Sequence, residues 1–298
     1  MRHFSRSTPE LPDIAHEVKL RPLIRRLAHA ARNCGCGAIA PLVALLLTGC
    51  GSREDLIIGI DDFTVERRDD FDGPDLDLDY WELASHTFSP NLAWFSPANA
   101  KIEDGLLVLS ITADQAPANP MANEVAKPFS AAEVRTREVF LYGRFRARAR
   151  LAPGTGVVSA FWGFYDRYAF SMGPQIDNQI VFESGIPRAS DQHQLRYTVS
   201  VPKEAPEPSL QHASFDPSAD FHTIGYDWTP TEVRFYLDEQ TRSVVTGDPA
   251  SELRQYQRLV LSAYPSAADW LSDFDARQLP VTAEFDWVEV SSYKGPRP

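Results

Sequence analysis

A single carboxylate lies in a segment whose spacing is suited to proton chemistry. Gln179, Val181 and Glu183 follow one another at two-residue intervals, and such residues of a β-strand point to one face. The carboxyl group of Glu183 can donate or accept a proton, whereas the amide of Gln179 and the isopropyl group of Val181 cannot. The segment therefore predicts a strand face with one titratable group between less reactive neighbours.

The elements that must position this face are β-strands almost throughout. Apolar and polar residues alternate with a period of two in many short segments, which is typical of strands with one packed and one solvated face. Proline and glycine separate these segments, so the pattern favours an antiparallel sandwich or barrel. Helical periodicity is present only around 250–258. The predicted strands are 106–111, 142–150, 157–164, 179–182, 194–201, 222–228, 232–237, 258–264 and 281–293.

Seven sequence blocks, in order along residues 71–293, together resemble glycoside hydrolase family 16. Each block alone is a weak signal, but their shared order is specific. The resemblance implies an all-β, concanavalin A-like jelly-roll: a sandwich of two curved antiparallel sheets with a sugar-binding cleft on the concave face. The blocks are Phe71-Asp72-Gly73 with Tyr80-Trp81-Glu82, Asn99 to Leu107, Ala132 to Arg135 with Tyr142 to Arg148, Gly156 to Trp162, Asp220 to Pro230, Val233 to Asp238, and Pro280 to Val290.

The resemblance assigns slots to the alternating residues. The family's catalytic strand reads Glu-x-Asp-x-Glu, whose outer Cα atoms are about 13 Å apart by strand rise. A retaining mechanism needs two carboxyl groups roughly 5–5.5 Å apart, one as nucleophile and one as acid/base. Aligned on this pattern, Gln179 takes the nucleophile slot, Val181 the slot of the orienting Asp, and Glu183 the acid/base slot. The strand therefore departs from the family at two of its three positions.

A second alignment and three functions stay open. The segment Gln175 to Gln179 keeps the middle Asp, as Asp177, but places Gln in both Glu slots. We favour the first alignment; in either one a Gln occupies the nucleophile slot. The protein can be a binder of a β-linked glucan or galactan, or a glycosidase in which Asp177 or Asp166 acts as base through a water. It can also be a structural envelope protein that uses the fold without sugar.

Further side chains are candidates for sugar binding, each against a plainer role in packing. Trp162 matches a stacking position of the family, and Phe164 follows it on the same strand face. The remaining candidates are Trp94 and Trp270 in predicted loops, His222 beside the acid/base residue, and Glu133 and Arg135 at a cleft edge. We expect Trp81, Trp228 and Trp287 to be core residues. The arginines at 144, 146, 148 and 150 predict a solvated convex surface.

The N-terminal 49 residues are typical of a secretory signal. Arginines precede an apolar run, 38–47, which is shorter than the ~20 residues that span a bilayer. The run ends in Leu47-Thr48-Gly49-Cys50, which resembles a bacterial lipobox and implies cleavage and lipidation at Cys50. An ordinary signal peptide with a chance cysteine is the alternative. Gly51 rather than Asp follows the cysteine, which favours the outer membrane. The true start is hypothesised nearer Val18 or Leu20.

These boundaries predict a tether over 50–70, a domain over 71–293 and a tail over 294–298. Without residues 1–49 the chain keeps 22 basic and 38 acidic residues, a net charge of −16. Such a domain repels phosphate backbones, so nucleic acid is excluded as a partner and polysaccharide is favoured. Only Cys50 would remain of three cysteines, so neither a disulfide nor a cysteine metal site is expected.

No metal or cofactor is required by the implied chemistry. The resemblance allows a structural calcium ion on the convex side, to which Asp72 and Asp286 could contribute. We expect a monomer held at the membrane surface only through its lipid.

Overall fold

Two eight-stranded sheets form the folded part of the chain. The computed structural model describes residues 62–114, 126–167, 178–202 and 208–297. Residues 1–61, including the signal and Cys50, lie outside the described residues, as does Asp177. No helix in the described ranges is long and apolar enough to cross a membrane. The β-sandwich predicted from the sequence is confirmed.

The first sheet, called here the back sheet, has the order β14-β13-β12-β7-β16-β5-β4, and β1 also pairs with β16. Neighbouring strands are antiparallel throughout. Its strands are β1 (Phe63–Asp69), β4 (Ala100–Glu103), β5 (Leu106–Ile111), β7 (Gly143–Arg150), β12 (His222–Trp228), β13 (Glu232–Leu237), β14 (Gln240–Thr246) and β16 (Val281–Tyr293).

The second sheet, called here the cleft sheet, has the order β11-β10-β9-β8-β15-β6-β2. All its pairs are antiparallel except that β3 pairs with β6 in parallel. Its strands are β2 (Trp81–Leu83), β3 (Ala93–Phe95), β6 (Phe129–Thr136), β8 (Val157–Phe164), β9 (Gln179–Gly185), β10 (Gln194–Ser200), β11 (Ser209–His212) and β15 (Arg258–Pro265).

The core lies between the two sheets and follows from their alternation. On β9, Ile180 and Phe182 are fully buried, while their neighbours at 179, 181 and 183 are only partly covered. On β7, Phe145, Ala147 and Ala149 point inward and the arginines outward. Burying an aromatic or aliphatic side chain stabilises the fold by about 1.5–3 kcal/mol. The period-two pattern therefore fixes which residues reach the outer face of each sheet.

Several sequence expectations need correction. The domain includes residues 63–69 rather than beginning at 71, because β1 pairs with the end of β16 and so removes these residues from the expected tether. The expected helix at 250–258 is the single turn α1 (Asp248–Glu252), since β15 already begins at Arg258. Trp81 and Trp228 are fully buried as expected. Trp287 is not a core residue: it lies half-buried with the Arg68 guanidinium 4.2 Å above its ring.

The arginines of β7 do not form a simple solvated surface. Each is paired with a carboxylate from a neighbouring strand, as in Arg148 with Asp286 at 2.9 Å. The innermost pair, Arg144 with Asp227, is bidentate at 2.7 and 2.8 Å and almost wholly buried. These pairs are Arg144–Asp227, Arg146–Glu289, Arg148–Asp286 and Arg150–Glu284.

Candidate functional site

The outer face of the cleft sheet carries the candidate site, and the strand register builds it in rows. Residues directly opposite in antiparallel strands point to the same face. Glu183 on β9 stands opposite Arg196 on β10 and Ala160 on β8, and the row continues through β15 to β6. This central row reads Arg196–Glu183–Ala160–Ser262–Glu133.

The adjoining rows contain the other two slots. Val181 stands between Thr198 and Trp162, and Gln179 stands between Ser200 and Phe164. Gln179, Val181 and Glu183 all line one cavity of about 280 Å³. The structure thus brings the three predicted slots together on one wall, as the first alignment requires. The rest of the cavity wall is Phe88, Ala160, Trp162, Arg196, Thr198, Ser200, Pro208 and Tyr264.

Glu183 is held in an ion pair at the centre of this wall. Arg196 donates from Nε to Glu183 Oε1 at 2.9 Å, and the side chains are only 16 % and 18 % exposed. Burial raises the pKa of Glu183 above its ordinary value, and the charge and hydrogen bond of Arg196 partly oppose this. The carboxyl group therefore keeps its proton to a higher pH than a solvated Glu does.

Tyr264 contributes a neutral hydroxyl to the same cavity. Burial raises the pKa of its phenol, and the negative charges of Glu183 and Glu133 raise it further. The hydroxyl therefore stays protonated at any physiological pH. It can donate or accept a hydrogen bond at the cavity wall.

A second cavity, of about 470 Å³, adjoins the first on the β6 side. Phe88 and Trp162 line both cavities, so these rings flank the passage between them. Glu133 lines the second cavity, and its Oε1 atom has two hydrogen-bond partners. His86 Nε2 lies 3.1 Å from it, and Arg135 donates to it from Nη2 at 3.0 Å. Glu133 and Arg135 thus lie on the same face of the cleft sheet as Glu183, and their role in sugar binding stays a prediction.

Two other predicted residues are placed differently, Trp94 and His222. Trp94 is buried, 6 % exposed, on β3 and hydrogen-bonds Ser85, so it does not form a stacking rim. His222 belongs to the back sheet, on β12, where it contacts Asp238 at 2.7 Å and stacks on Phe215 at 4.2 Å. It does not lie beside Glu183, because β12 and β9 belong to different sheets.

Trp270 does approach the cleft, but its ring contacts the side chain of Arg196. Its ring lies under the Arg196 guanidinium, 4.3 Å from the guanidinium carbon to the ring centroid. Gly185 permits this approach, because a Cβ there would come within 2.9 Å of the Trp270 ring and 2.5 Å of Leu271. Trp270 therefore fixes the arginine that holds Glu183.

Sequence reasoning missed four residues of the site: His86, Phe88, Arg196 and Tyr264. Arg196 could have been found by pairing the predicted strands 179–182 and 194–201 as a hairpin, which places it opposite Glu183. Phe88 and His86 carry no such signal, since they come from the irregular segment after β2.

The possible calcium ligands do not form a cage. Asp286 accepts a hydrogen bond from Arg148 at 2.9 Å, and Asp72 is exposed. In the described part of the chain, no three His, Cys, Asp or Glu side chains cluster in a way that could hold a metal ion. The function derived below assigns no role to an ion.

The cleft sheet of this β-sandwich thus carries an aromatic-lined cavity with a mostly buried carboxyl group in its wall, which is a site of the kind that binds ligands. The family model described as "Glycosyl hydrolases family 16" matches residues 90–289. The chain belongs to this family.

The relatives are named as glucanases. A "Beta-glucanase" of Fibrobacter succinogenes is 31 % identical over 175 residues, which cover 57 % of this chain and 49 % of that protein. A "Xylanase/beta-glucanase" of Ruminococcus flavefaciens is 27 % identical over 65 % of this chain and 23 % of its own length. The chain thus spans half or less of these two relatives.

A solved structure shows the same fold. The catalytic domain of an endo-1,3-beta-glucanase (laminarinase) from Thermotoga petrophila superposes with a TM-score of 0.67 at 20 % identity. The match covers 78 % of this chain and 99 % of that domain.

Proposed function

We propose that the cleft binds a neutral, β-linked glucan-type polysaccharide and does not cleave it by the double displacement of retaining glycosidases. The observation that carries this proposal is the shared wall of Gln179, Val181 and Glu183 in one cavity. The double-displacement mechanism uses carboxyl groups at all three positions, and here only Glu183 has one.

The missing steps follow from side-chain chemistry. A retaining enzyme forms a covalent ester between a carboxylate and the anomeric carbon, and the neutral amide of Gln179 cannot supply that carboxylate. Val181 has no hydrogen-bonding atom with which to orient a nucleophile. Glu183 retains the properties of an acid, but among the described residues that line its cavity no other side chain is a carboxylate.

Recognition of a neutral glycan is supported by the charge balance of the cleft. The domain is strongly acidic, yet the carboxylates that line the two cavities are each paired with an arginine: Glu183 with Arg196, Glu133 with Arg135, and Asp166 with Arg258. The aromatic rings of Trp162, Phe88 and Tyr264 supply flat apolar surface of the kind that sugar rings stack on. The names of the relatives favour a β-glucan as the polymer.

A glycosidase with a relocated base is the alternative outcome. Asp166 lies in the second cavity and is 3.4 Å from Arg258 Nε, so it is engaged away from the Glu183 wall. Asp177 lies outside the described residues. A structural envelope protein, the third alternative, would bind no glycan at all.

For location, we propose export and attachment at the membrane surface through a lipid on Cys50, in the outer membrane. This rests on the sequence of residues 21–51 alone.

The test measures glycan binding and hydrolysis, both in the wild-type protein and in a variant that places carboxyl groups at positions 179 and 181. Affinity electrophoresis with laminarin and lichenan measures binding, and reducing-sugar release measures hydrolysis. We expect the wild-type protein to bind without release, and the double variant Gln179→Glu/Val181→Asp to gain release. Adding Glu183→Gln should abolish that gain.

The matched control is Val181→Asn in the presence of the native Gln179, which reproduces the volumes of Glu and Asp without a carboxylate and should gain nothing. Release by the wild-type protein that Glu183→Gln abolishes would contradict the proposal and favour a relocated base. Absence of any binding would favour the structural role.

A further inference from the structure

We infer that the sugar ring seated at the catalytic-strand wall carries a 2-acetamido group, whose methyl contacts Val181. This inference rests on the proposed function and names its ligand class: a β-linked polymer of N-acetylated amino sugars. It follows from what the wall offers in place of the family's three carboxyl groups.

Val181 forms an apolar position in the wall, called here the notch, between two polar positions. Val181 is partly exposed, with Gln179 and Glu183 on the same face, each roughly 7 Å away along the strand by its rise. Across β8 the notch is bordered by Trp162 and Ala160, both of which line the same cavity. Ala160 is small and mostly buried, so it adds an apolar surface without a polar group beside Glu183.

The position of the sugar's C2 substituent is set by its own bonding. Glu183 occupies the slot that acts on the glycosidic oxygen, which is attached to C1. C2 is bonded to C1, so its substituent falls within reach of the nucleophile and Asp slots, here Gln179 and Val181. In the retaining mechanism this region contacts a 2-hydroxyl through hydrogen bonds.

A 2-hydroxyl suits this notch poorly. Against the isopropyl group of Val181 it would lose hydration without gaining a hydrogen bond from that side chain, which is unfavourable. An acetamido group instead places a methyl group on Val181 and the Trp162 ring, which buries apolar surface. Its N–H and C=O complement the amide of Gln179, which both donates and accepts. The notch thus selects for the amide over the hydroxyl.

Charge agrees with this assignment. Glu183 is neutralised by Arg196 at 2.9 Å, and Gln179, Thr198 and Ser200 are uncharged. The wall therefore attracts neither a uronate nor a free amino sugar, and an N-acetylated amino sugar is neutral.

The test compares two ligands that differ only at C2. Isothermal titration calorimetry is performed with N-acetylchitopentaose and with cellopentaose, both β-1,4-linked chains of glucose configuration. We expect the wild-type protein to bind the N-acetylated chain at least tenfold more tightly, about 1.4 kcal/mol. Val181→Asp should reduce this preference to below threefold, because a carboxylate disfavours the methyl and accepts from a hydroxyl.

Two controls separate the notch from the rest of the cleft. Val181→Ile keeps the apolar contact and should preserve the preference, while Phe88→Ala, which removes a cavity ring outside the notch, should weaken both ligands by a similar factor. Equal affinity of the wild-type protein for both chains, or a preference unchanged by Val181→Asp, would overturn the inference.

The failure of the inference can be told from failure of the proposed function. If neither pentaose binds but laminarin or lichenan does, the assignment of the acetamido group is wrong and glucan binding stands. If no glycan of any kind binds, the proposed function fails as well.

Discussion

Arg196 binds Glu183 across the β9–β10 pair through a 2.9 Å hydrogen bond from Nε to Oε1, in the wall of the cleft. The pair is mostly buried, so the arginine stabilises the ionised carboxylate against the cost of its burial. Trp270 stacks on the other side of the same guanidinium. Burial and this arginine therefore act in opposite directions on the pKa of the Glu183 carboxyl group.

Replacing Arg196 by Gln should raise the pKa of Glu183 further above its ordinary value. The substitution removes the charge and the hydrogen bond that lower this pKa but leaves the burial that raises it. The pKa is measured by carbon-detected NMR titration of the Glu side-chain carboxyl groups, assigned with Glu183→Gln. Trp270→Ala, which leaves Arg196 charged, should give a smaller rise. A lower or unchanged pKa in Arg196→Gln would show that Arg196 does not lower the pKa of Glu183.

Trp162→Ala should weaken glycan binding by about tenfold or more, roughly 1.4 kcal/mol. Trp162 lines both cavities and stacks with Phe164 at 5.0 Å between ring centroids, so its loss removes the central platform. Binding is measured by affinity electrophoresis on the polysaccharide that the wild-type protein retains.

Trp287→Ala is the matched control for this change, because Trp287 lies on β16 of the back sheet. It should leave binding unchanged. Equal losses from both tryptophan variants would indicate a general effect on the fold rather than a platform in the cleft.

The fold could be predicted because its signals are local and repeated. Strands β5, β12, β13 and β16 have the predicted bounds, since apolar runs or alternation mark each strand locally and turn residues separate them. The first strand, Phe63–Asp69, was missed because it carries no such local signal. It is a charged strand at the side of the sheet, and only Phe63 is buried. Its pairing with β16 is long-range and leaves no local pattern.

Residues of the site could be predicted only where they lie on a strand that the sequence itself indicates. Gln179, Val181, Glu183 and Trp162 share one face because strand register is periodic. His222 was misplaced because its own strand pattern says nothing about which of two sheets that strand joins. Arg196 was missed because pairing between strands, rather than the alternation within one, places it beside Glu183.

His193 should make the protein less stable as the pH falls below about 6.5. Its side chain is buried, its Nδ1 lies 3.1 Å from Ser184 Oγ, and burial lowers its pKa below the ordinary value of 6.5. The unfolded chain therefore takes up the proton first, so the free energy of unfolding decreases from pH 6.5 down to the folded-state pKa. Asp216, 3.7 Å from Nε2, opposes the effect but does not cancel it.

Urea denaturation at several pH values measures this dependence. His193→Gln, which cannot titrate, should show a shallower loss of stability over that range than the wild-type protein. His212→Gln on the exposed strand β11 is the control and should follow the wild-type curve. A parallel curve for His193→Gln would rule out His193 as the source.

Asp227→Asn should destabilise the domain by roughly 3–5 kcal/mol, the cost of leaving a buried charge without its partner. Asp227 is 1 % and Arg144 is 9 % exposed at the side chain, and the two form a bidentate pair between β12 and β7. The asparagine keeps the shape but leaves the guanidinium of Arg144 without a counter-charge. Replacing both residues, as Arg144→Met/Asp227→Leu, should recover most of the loss, because no charge of this pair then remains buried.

Urea denaturation at pH 7 measures both variants, with Asp286→Asn as the matched control. Asp286 pairs with Arg148 on the same face, but the two side chains are 38 % and 40 % exposed, so that change should cost at most about 1 kcal/mol. Similar losses from Asp227→Asn and Asp286→Asn would mean that burial does not set the strength of these pairs, and that the inner pair is replaceable like the outer one.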